Sequence, residues 1–250
     1  MATGSPWAPW EADIRDSKDV ATIVLVHGWC CGAWVWDRVV PLLHARGFPT
    51  RAVDLPCVTE APQKLCDLHD DARAVRSLID NLRSPVVLCG HSYGGMVITE
   101  ASAGQPRVRH LVYIAADIPD EKETTVTYSA FFNPEFMETV LSRGDGTGLL
   151  DRERTPLFWD CNPEVRDWAR SRLRPMSMRI ADPDQTPTGV GWREHPSTLL
   201  LCQQDETASA DYFKVYAQRA TRVIELPTGH SPQLSRPEMV ADILEQVARS

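Results

Sequence analysis

The sequence lacks the features that would place this protein in a membrane or on a secretory route. No apolar run reaches about 18 residues, the approximate minimum for a membrane-spanning helix. The N-terminal stretch MATGSPWAPWEADIRDSKD carries acidic side chains and no continuous apolar segment, so we expect no signal peptide. A reducing, cytoplasmic location is the resulting prediction.

Metal-binding and disulfide patterns are also missing. The seven cysteines are scattered, apart from the adjacent Cys30 and Cys31, and none forms a C-x-x-C pair or a Cys/His pair with zinc spacing. Their odd number argues against a complete disulfide framework. The glycine-rich run at 144–148 is not followed by Lys-Ser/Thr, so it is not a phosphate-binding loop. We therefore expect no metal and no cofactor.

Basic side chains are fewer than acidic ones. Lys and Arg number 26 against 34 Asp and Glu, a net charge of -8, which disfavours nucleic acid or an anionic membrane surface as a partner. The hydrophobic fraction of 43% and the 250-residue length suit one globular domain with room for an inserted subdomain. The expected partner is a small molecule, and the sequence does not specify an oligomeric state.

The stretch PVVLCGHSYGGMVITEASAG, which begins at Pro85, contains the most informative motif. A short apolar run typical of a buried strand precedes Gly90-His91-Ser92-Tyr93-Gly94, a G-x-S-x-G pattern, and a helix rich in small residues follows. A serine on such a sharp strand-to-helix turn is held in a strained conformation above the sheet edge, and the flanking glycines let strand and helix pass closely. The context predicts Ser92 as a nucleophile rather than an idle serine in a turn.

Strands and helices alternate on both sides of this motif. Apolar runs at 22–26, 50–53, 86–89, 108–115, 198–202 and 222–226 predict strands, with helices at 34–45, 66–83 and 208–219 among those between them. This order predicts an α/β fold: a mostly parallel, doubly wound sheet. We assign residues 21–117 and 196–250 to the core and 1–20 to an N-terminal arm. Ser235 and Glu238 predict a capping box for the last helix.

The alternation breaks between residues 118 and 195. This segment is rich in proline and contains a helical stretch with several arginines at 164–173. We predict an inserted, mainly helical cap over the carboxyl edge of the sheet.

Three candidate catalytic residues follow three different strands. Ser92 follows one strand, Asp205 the penultimate one and His230 the last one. Because the carboxyl ends of parallel strands meet at one sheet edge, these side chains can converge. A serine hydroxyl needs a general base, and the base needs an acid to fix its tautomer. We predict the triad Ser92, His230 and Asp205, with Asp117 and Glu206 as alternative acids.

Several segments together resemble the α/β-hydrolase superfamily: VLVHGWCCGAWVW, VDLP, LCGHSYGGM, VYIAADIPDE, LCQQDE and TGHSPQLSRPEMVADIL. Within it, they look most like the methylesterase and hydroxynitrile-lyase branch and its bacterial relatives. The resemblance covers most of 22–116 and 196–247 but not the insertion. It implies an oxyanion hole formed by the backbone N–H groups of Trp29 and Tyr93. Such donors stabilise a tetrahedral oxyanion by about 3 kcal/mol each.

Two positions distinguish hydrolases from lyases in this branch. The lyases carry threonine where this chain has Gly28 and lysine where it has Ser231, so the residues favour hydrolysis. The expected pocket wall comprises Gly28, Trp29, Phe131, Phe132 and Trp159. The aromatic residues of the insertion have an alternative interpretation, which is that they only pack it onto the sheet.

The sequence predicts a serine hydrolase that cleaves a small or medium carboxylic ester through an acyl-enzyme. A lactonase or a C–C bond hydrolase would use the same triad. A receptor with this fold and very slow turnover is the alternative from another functional class.

Overall fold

The computed structural model describes residues 20–60 and 65–250. The predicted arm at 1–20 lies outside the described residues except for Val20. Nine strands are present in the described part of the chain: β1 Thr22–Val26, β2 Thr50–Val53, β3 Val86–His91, β4 Val108–Ile114, β5 Val140–Ser142, β6 Thr147–Leu150, β7 Met176–Ser177, β8 Ser197–Cys202 and β9 Arg222–Leu226.

The described part of the chain also contains eight α-helices: α1 Val40–Ala45, α2 Leu68–Asn81, α3 Gly94–Ser102, α4 Pro134–Met137, α5 Pro163–Ser171, α6 Ala210–Ala217, α7 Pro232–Ser235 and α8 Pro237–Arg249. The helix expected at 34–45 is divided into a 3₁₀ turn, Ala33–Trp36, and α1. Pro41 explains the division, because proline lacks the N–H needed inside a helix and is tolerated in its first turn. No described helix is long and apolar enough to span a bilayer.

The central sheet is parallel throughout its six strands, in the order β2-β1-β3-β4-β8-β9. β1 and β3 are buried at every position, as expected for strands covered on both faces. The chain first moves outward from β1 to β2 and then returns to the other side of β1. Since crossovers are right-handed, α1 lies on the opposite face from α2 and α3. The predicted doubly wound α/β sheet is confirmed.

The segment between β4 and β8 contains a small antiparallel sheet, in the order β5-β6-β7, in addition to α4, α5 and short 3₁₀ turns. The sequence did not predict these strands, which have only two to four residues and therefore show no alternating pattern. The glycine-rich run joins β5 to β6, with positive φ angles at Gly144 and Gly146. The insertion is thus a mixture of short helices and a three-stranded sheet.

The N-terminal cap of the last helix, α8, differs from the one predicted from the sequence. α8 begins at Pro237 with Arg236 in the cap position, and no side chain caps it. The predicted capping box at Ser235 and Glu238 is therefore wrong, because the helix begins one residue later than the box requires: Pro237 is the first helical residue and Glu238 the second, not the third. A true capping box occurs on α2, where Asp67 accepts from the backbone N–H of Asp70 and the Asp70 carboxylate accepts from the N–H of Asp67.

Helix α3 approaches the sheet more closely than side chains would permit. A Cβ on Gly94 would lie 2.7 Å from the carbonyl oxygen of Val26 and 2.8 Å from that of His27, at the end of β1. A Cβ on Gly95 would lie 2.1 Å from the carbonyl oxygen of Asp117, after β4. Both obstacles are backbone atoms, so they cannot rotate away. The glycines hold the start of α3 against the carboxyl edge of the sheet.

We expect Gly94→Ala to destabilise the protein by about 3 kcal/mol, because the new methyl group would overlap two backbone carbonyl groups. Gly104→Ala is the matched control. Gly104 has a φ of +63° and open space around it, so its substitution costs only the left-handed conformation, about 1 kcal/mol. Urea unfolding of both variants measures the difference. Equal losses would contradict the close approach of α3.

Candidate active site

The turn between β3 and α3 holds Ser92 in a left-handed conformation, with a φ of +54°. A non-glycine residue rarely adopts this conformation, which costs about 1–2 kcal/mol. The N–H of Ser92 donates to the carbonyl of Ile114 on the neighbouring strand, and its own carbonyl accepts from the N–H of Gly95. A Cβ on Gly90 would lie 2.5 Å from the Gly94 carbonyl oxygen. The strain and the glycines expected of a nucleophile turn are both present.

His230 and Asp205 meet at the ends of the last two strands. The Nδ1 atom of His230 lies 2.6 Å from Oδ2 of Asp205, and the exposed fractions of the two side chains are 6% and 1%. Because a carboxylate accepts, Nδ1 carries the proton and Nε2 is left as the basic nitrogen. The other carboxylate oxygen of Asp205 accepts from the N–H and the hydroxyl of Thr207 at 2.8 and 2.7 Å. The Asp205 carboxylate is thereby held by three hydrogen bonds, one of them to His230.

Thr207 is a residue that sequence reasoning missed. The spacing Asp-x-Thr just after a strand is a local signal, since a threonine two residues beyond an aspartate can donate to its carboxylate. The Glu206 carboxylate, one of the alternative acids, lies next to it in sequence but does not bond His230; Glu206 is exposed. Of the acids considered, Asp205 bonds the imidazole.

His91 lies beneath His230 and supports it. The Nε2 atom of His91 donates to the backbone carbonyl of His230 at 2.9 Å, and the two rings are 4.8 Å apart. His91 is fully buried, and burial lowers its pKa well below the usual value, so the ring is neutral. The contact joins the nucleophile turn to the loop of His230 across 139 residues of chain. The sequence did not predict this contact.

Ser92 and His230 line one cavity above the carboxyl edge of the sheet, with a volume of about 730 Å³ counted to its open mouth. No hydrogen bond joins their side chains in the described part of the chain. The cavity also touches Trp29 and Tyr93. The backbone N–H groups of Trp29 and Tyr93 donate no hydrogen bond to any residue within 20–60 and 65–250. Both are therefore free to donate to a molecule in the cavity.

The cavity wall is mostly apolar, and much of it comes from the insertion. Of the predicted pocket residues, Trp29 and Phe132 line it. Gly28, Phe131 and Trp159 do not. Residues from the 118–195 insertion in the wall are Thr125, Val126, Phe132, Phe136, Met137, Leu150 and Leu157.

Each predicted pocket residue outside the wall has a physical reason for its position. Gly28 lies directly against the nucleophile, and a Cβ there would be 2.7 Å from the Cβ of Ser92. Phe131 packs on Tyr128 with ring centroids 6.2 Å apart. The indole N–H of Trp159 donates to the Gln204 carbonyl at 3.1 Å, at the exposed rim.

Asp117, the other alternative acid, also lines the cavity but does not bond His230. Its Oδ1 accepts from the hydroxyl of Tyr212, on α6. Burial raises the pKa of Asp117 to about 6. The sequence placed this carboxyl near the site and did not indicate that it faces the cavity.

A second buried carboxyl bonds the side chain of Tyr93, in the turn that holds Ser92. Asp71, on α2, accepts from the hydroxyl of Tyr93 and from the N–H of Cys57, both at 2.9 Å. Asp71 is completely buried. Burial raises its pKa to about 7. Tyr93 is thereby held at two points: its backbone by the turn, and its ring by the hydrogen bond to Asp71.

We expect Asp71 to make folding stability depend on pH. Its pKa is about 7 in the folded protein and near 3.8 in the unfolded chain, so the folded state binds the proton more tightly. Its contribution to stability is complete below about pH 4 and is lost as the pH rises to about 7. Asparagine imitates the protonated acid and does not titrate.

The stability of the Asp71→Asn variant should therefore rise relative to the wild type by roughly 2 kcal/mol between pH 5 and pH 8. Urea unfolding of both proteins at the two pH values measures this change, and other titrating groups cancel in the difference. The exposed Asp211→Asn variant serves as the control, since it should track the wild type. A constant difference between wild type and Asp71→Asn would contradict the raised pKa.

Comparison with known proteins places these features in a family. A match to the alpha/beta hydrolase family spans residues 23–243. Polyneuridine aldehyde esterase of Rauvolfia serpentina is 25% identical over 264 residues, which covers 94% of this chain and 98% of that protein. Methylesterase 2 of Arabidopsis thaliana is 26% identical over 263 residues, with coverage of 94% and 98%.

A solved structure, that of a pyrethroid hydrolase from Sphingobium faniae JZ-2, has the same fold. Its TM-score is 0.80 at 22% identity, over 92% of this chain and 98% of that one. The predicted resemblance to methylesterase-like hydrolases is confirmed by these likenesses. The chain belongs to the alpha/beta hydrolase family.

Proposed function

We propose that this protein is a serine hydrolase that cleaves small or medium carboxylic esters, with Ser92 as nucleophile, His230 as general base and Asp205 as the orienting acid. The observation that carries the proposal is the 2.6 Å contact between His230 Nδ1 and Asp205 Oδ2, at a cavity that Ser92 also lines. The names of the relatives, esterases and a methylesterase among them, support the same activity.

The reaction uses groups already described. Nε2 of His230 removes the proton from the Ser92 hydroxyl, which attacks the ester carbonyl carbon. The negative charge that develops on the carbonyl oxygen is stabilised by the N–H groups of Trp29 and Tyr93, by about 3 kcal/mol each. His230 then protonates the leaving alcohol, and later activates the water that hydrolyses the acyl-enzyme.

Hydrolysis is favoured over cyanohydrin cleavage by the residues beside the triad. Ser231 follows the base, and no cationic side chain lies in the described cavity wall to stabilise a departing cyanide. The small-molecule ester or lactone partner and the cytoplasmic location stay predictions.

Ser92→Ala should reduce kcat for p-nitrophenyl acetate by at least about 10³-fold, because the nucleophile is lost. Ser142→Ala, on exposed β5, is the matched control and should retain wild-type turnover. Hydrolysis that survives undiminished in purified Ser92→Ala would disprove the nucleophile. Turnover of lactones or β-diketones in preference to all esters would instead favour the alternative hydrolases.

Asp205→Asn should lower kcat by roughly 10³–10⁴-fold, since the amide leaves His230 in the wrong tautomer. The control is Asp211→Asn, which removes a surface carboxylate paired with Lys214.

Labelling by a fluorophosphonate probe, followed by steady-state kinetics, separates an enzyme from a receptor. A wild-type protein that is labelled but never completes a second turnover would be a receptor.

A further inference from the structure

Asp117 is a buried carboxyl in the cavity wall that the proposed mechanism does not use. It follows β4, its residue is 8% exposed, and its backbone N–H lies 3.4 Å from the carbonyl oxygen of Ser92. One carboxylate oxygen accepts from Tyr212, and the other has no hydrogen-bond partner among the described residues. A polar group therefore faces the cavity within reach of a molecule attached to Ser92.

Among the described residues, only His230, when its ring is protonated, places a positive charge that favours ionisation of this carboxyl. The cavity wall described above contains neither lysine nor arginine. Arg219 contacts the carbonyl of the adjacent Ile118, but its guanidinium is bonded by the carboxylate of Glu123 through both terminal nitrogens. Glu123 itself is negative and opposes ionisation of Asp117. This guanidinium is thus already paired.

A buried carboxylate without a counter-ion is costly, and buried charges in proteins are normally paired. The rest of the wall around Asp117 is largely apolar, with Val126, Phe132, Phe136 and Phe213 among its members. Such a wall binds an apolar group and strengthens any electrostatic contact made inside it. The missing charge can be supplied by the ligand.

We propose that the cavity selects esters whose apolar part carries a protonated amine, and that Asp117 binds this ammonium group. The inference rests on the proposed ester hydrolysis at Ser92 and names the substrate class for it. An ammonium donates charge-assisted hydrogen bonds to a carboxylate and replaces the counter-ion that the chain does not provide. Asp117 is thus a specificity-determining residue, distinct from Asp205, which bonds the base.

The titration of Asp117 gives this selectivity a pH dependence. The titratable groups that interact with it are Tyr212 and Tyr216 on α6, His230 after β9, and Glu123, which is held by Arg219. Burial raises the pKa of Asp117 to about 6, so the carboxyl is neutral below this pH and charged above it. Preference for a cationic over a neutral ester should therefore rise as the pH increases through about 6.

Three methyl esters of nearly equal size test the inference: methyl 4-(aminomethyl)benzoate, methyl 4-ethylbenzoate and methyl 4-(hydroxymethyl)benzoate. In the wild type at pH 7.5, kcat/KM for the ammonium ester should exceed that for the ethyl ester by about 10–100-fold. Asp117→Asn should lower this ratio at least about 10-fold and abolish its rise between pH 5 and 8. The ratio within each enzyme cancels any change that affects hydrolysis of both esters equally.

Asp211→Asn is the matched control, since it removes an exposed carboxylate next to Tyr212 on the same helix. Its ammonium-to-ethyl ratio should equal that of the wild type. A ratio near one in the wild type, or a ratio that Asp117→Asn leaves unchanged, would overturn the proposal. So would an equal advantage of the hydroxymethyl ester, which would mean that Asp117 accepts a hydrogen bond without selecting charge.

A binding measurement separates this inference from the proposed function. The Ser92→Ala variant cannot form the acyl-enzyme, so the change in Tm that each ester produces reports binding alone. The ammonium ester should raise Tm most, and the additional Asp117→Asn substitution should remove the difference. If no ester is hydrolysed by the wild type but this Tm pattern holds, the hydrolase proposal fails and the ammonium site stands. Equal Tm shifts with all three esters would reject the site even in an active esterase.

Discussion

The close passage of α3 against the carboxyl edge of the sheet is the constraint on which the site depends. Ser92 can stand at this edge only if the chain reverses within a few residues, and this reversal brings Gly94 and Gly95 onto the backbones of β1 and of the β4 terminus. A side chain on these glycines would overlap the backbone of Val26, His27 or Asp117. The segments that contain these residues also contribute to the cavity wall, through Trp29, Ala115 and Asp117. The same close packing therefore determines both the position of Ser92 and the shape of the cavity.

A buried polar network ties the loops of the candidate triad to this turn. His91 bonds the backbone of His230, which bonds Asp205, which in turn accepts from Thr207. Every member is buried or nearly so, and a buried polar group that loses its hydrogen bond is costly; Nδ1 of His91 is the one atom of these side chains that is buried without a partner among the described residues. Displacement of one loop would leave several groups unpaired at once. The network therefore favours a single arrangement of the three strand ends.

The sequence predicted the parts of the site that local patterns encode. Ser92, Asp205 and His230 each follow a strand, and a parallel sheet brings strand ends together whatever the intervening chain does. It did not predict the support of His230 by His91, because the contact joins residues 139 positions apart. Nor could it tell that Phe132 faces the cavity while its neighbour Phe131 packs on Tyr128, since the short turns of the insertion have no regular periodicity.

Asp205 and Asp117 illustrate why residue type and strand-end position do not determine a role. Both carboxyls follow adjacent strands, β8 and β4, at the same edge. Asp205 accepts from His230 and twice from Thr207, so its charge is compensated by the chain itself. Asp117 accepts a side-chain hydrogen bond from Tyr212 alone; charge on His230 favours its ionisation and charge on Glu123 opposes it. Hydrogen bonds to a carboxylate favour its charged form, whereas burial without them disfavours it. The first environment suits a group that must stay ionised beside a base. The second suits a group whose charged form is stabilised further when a cation binds.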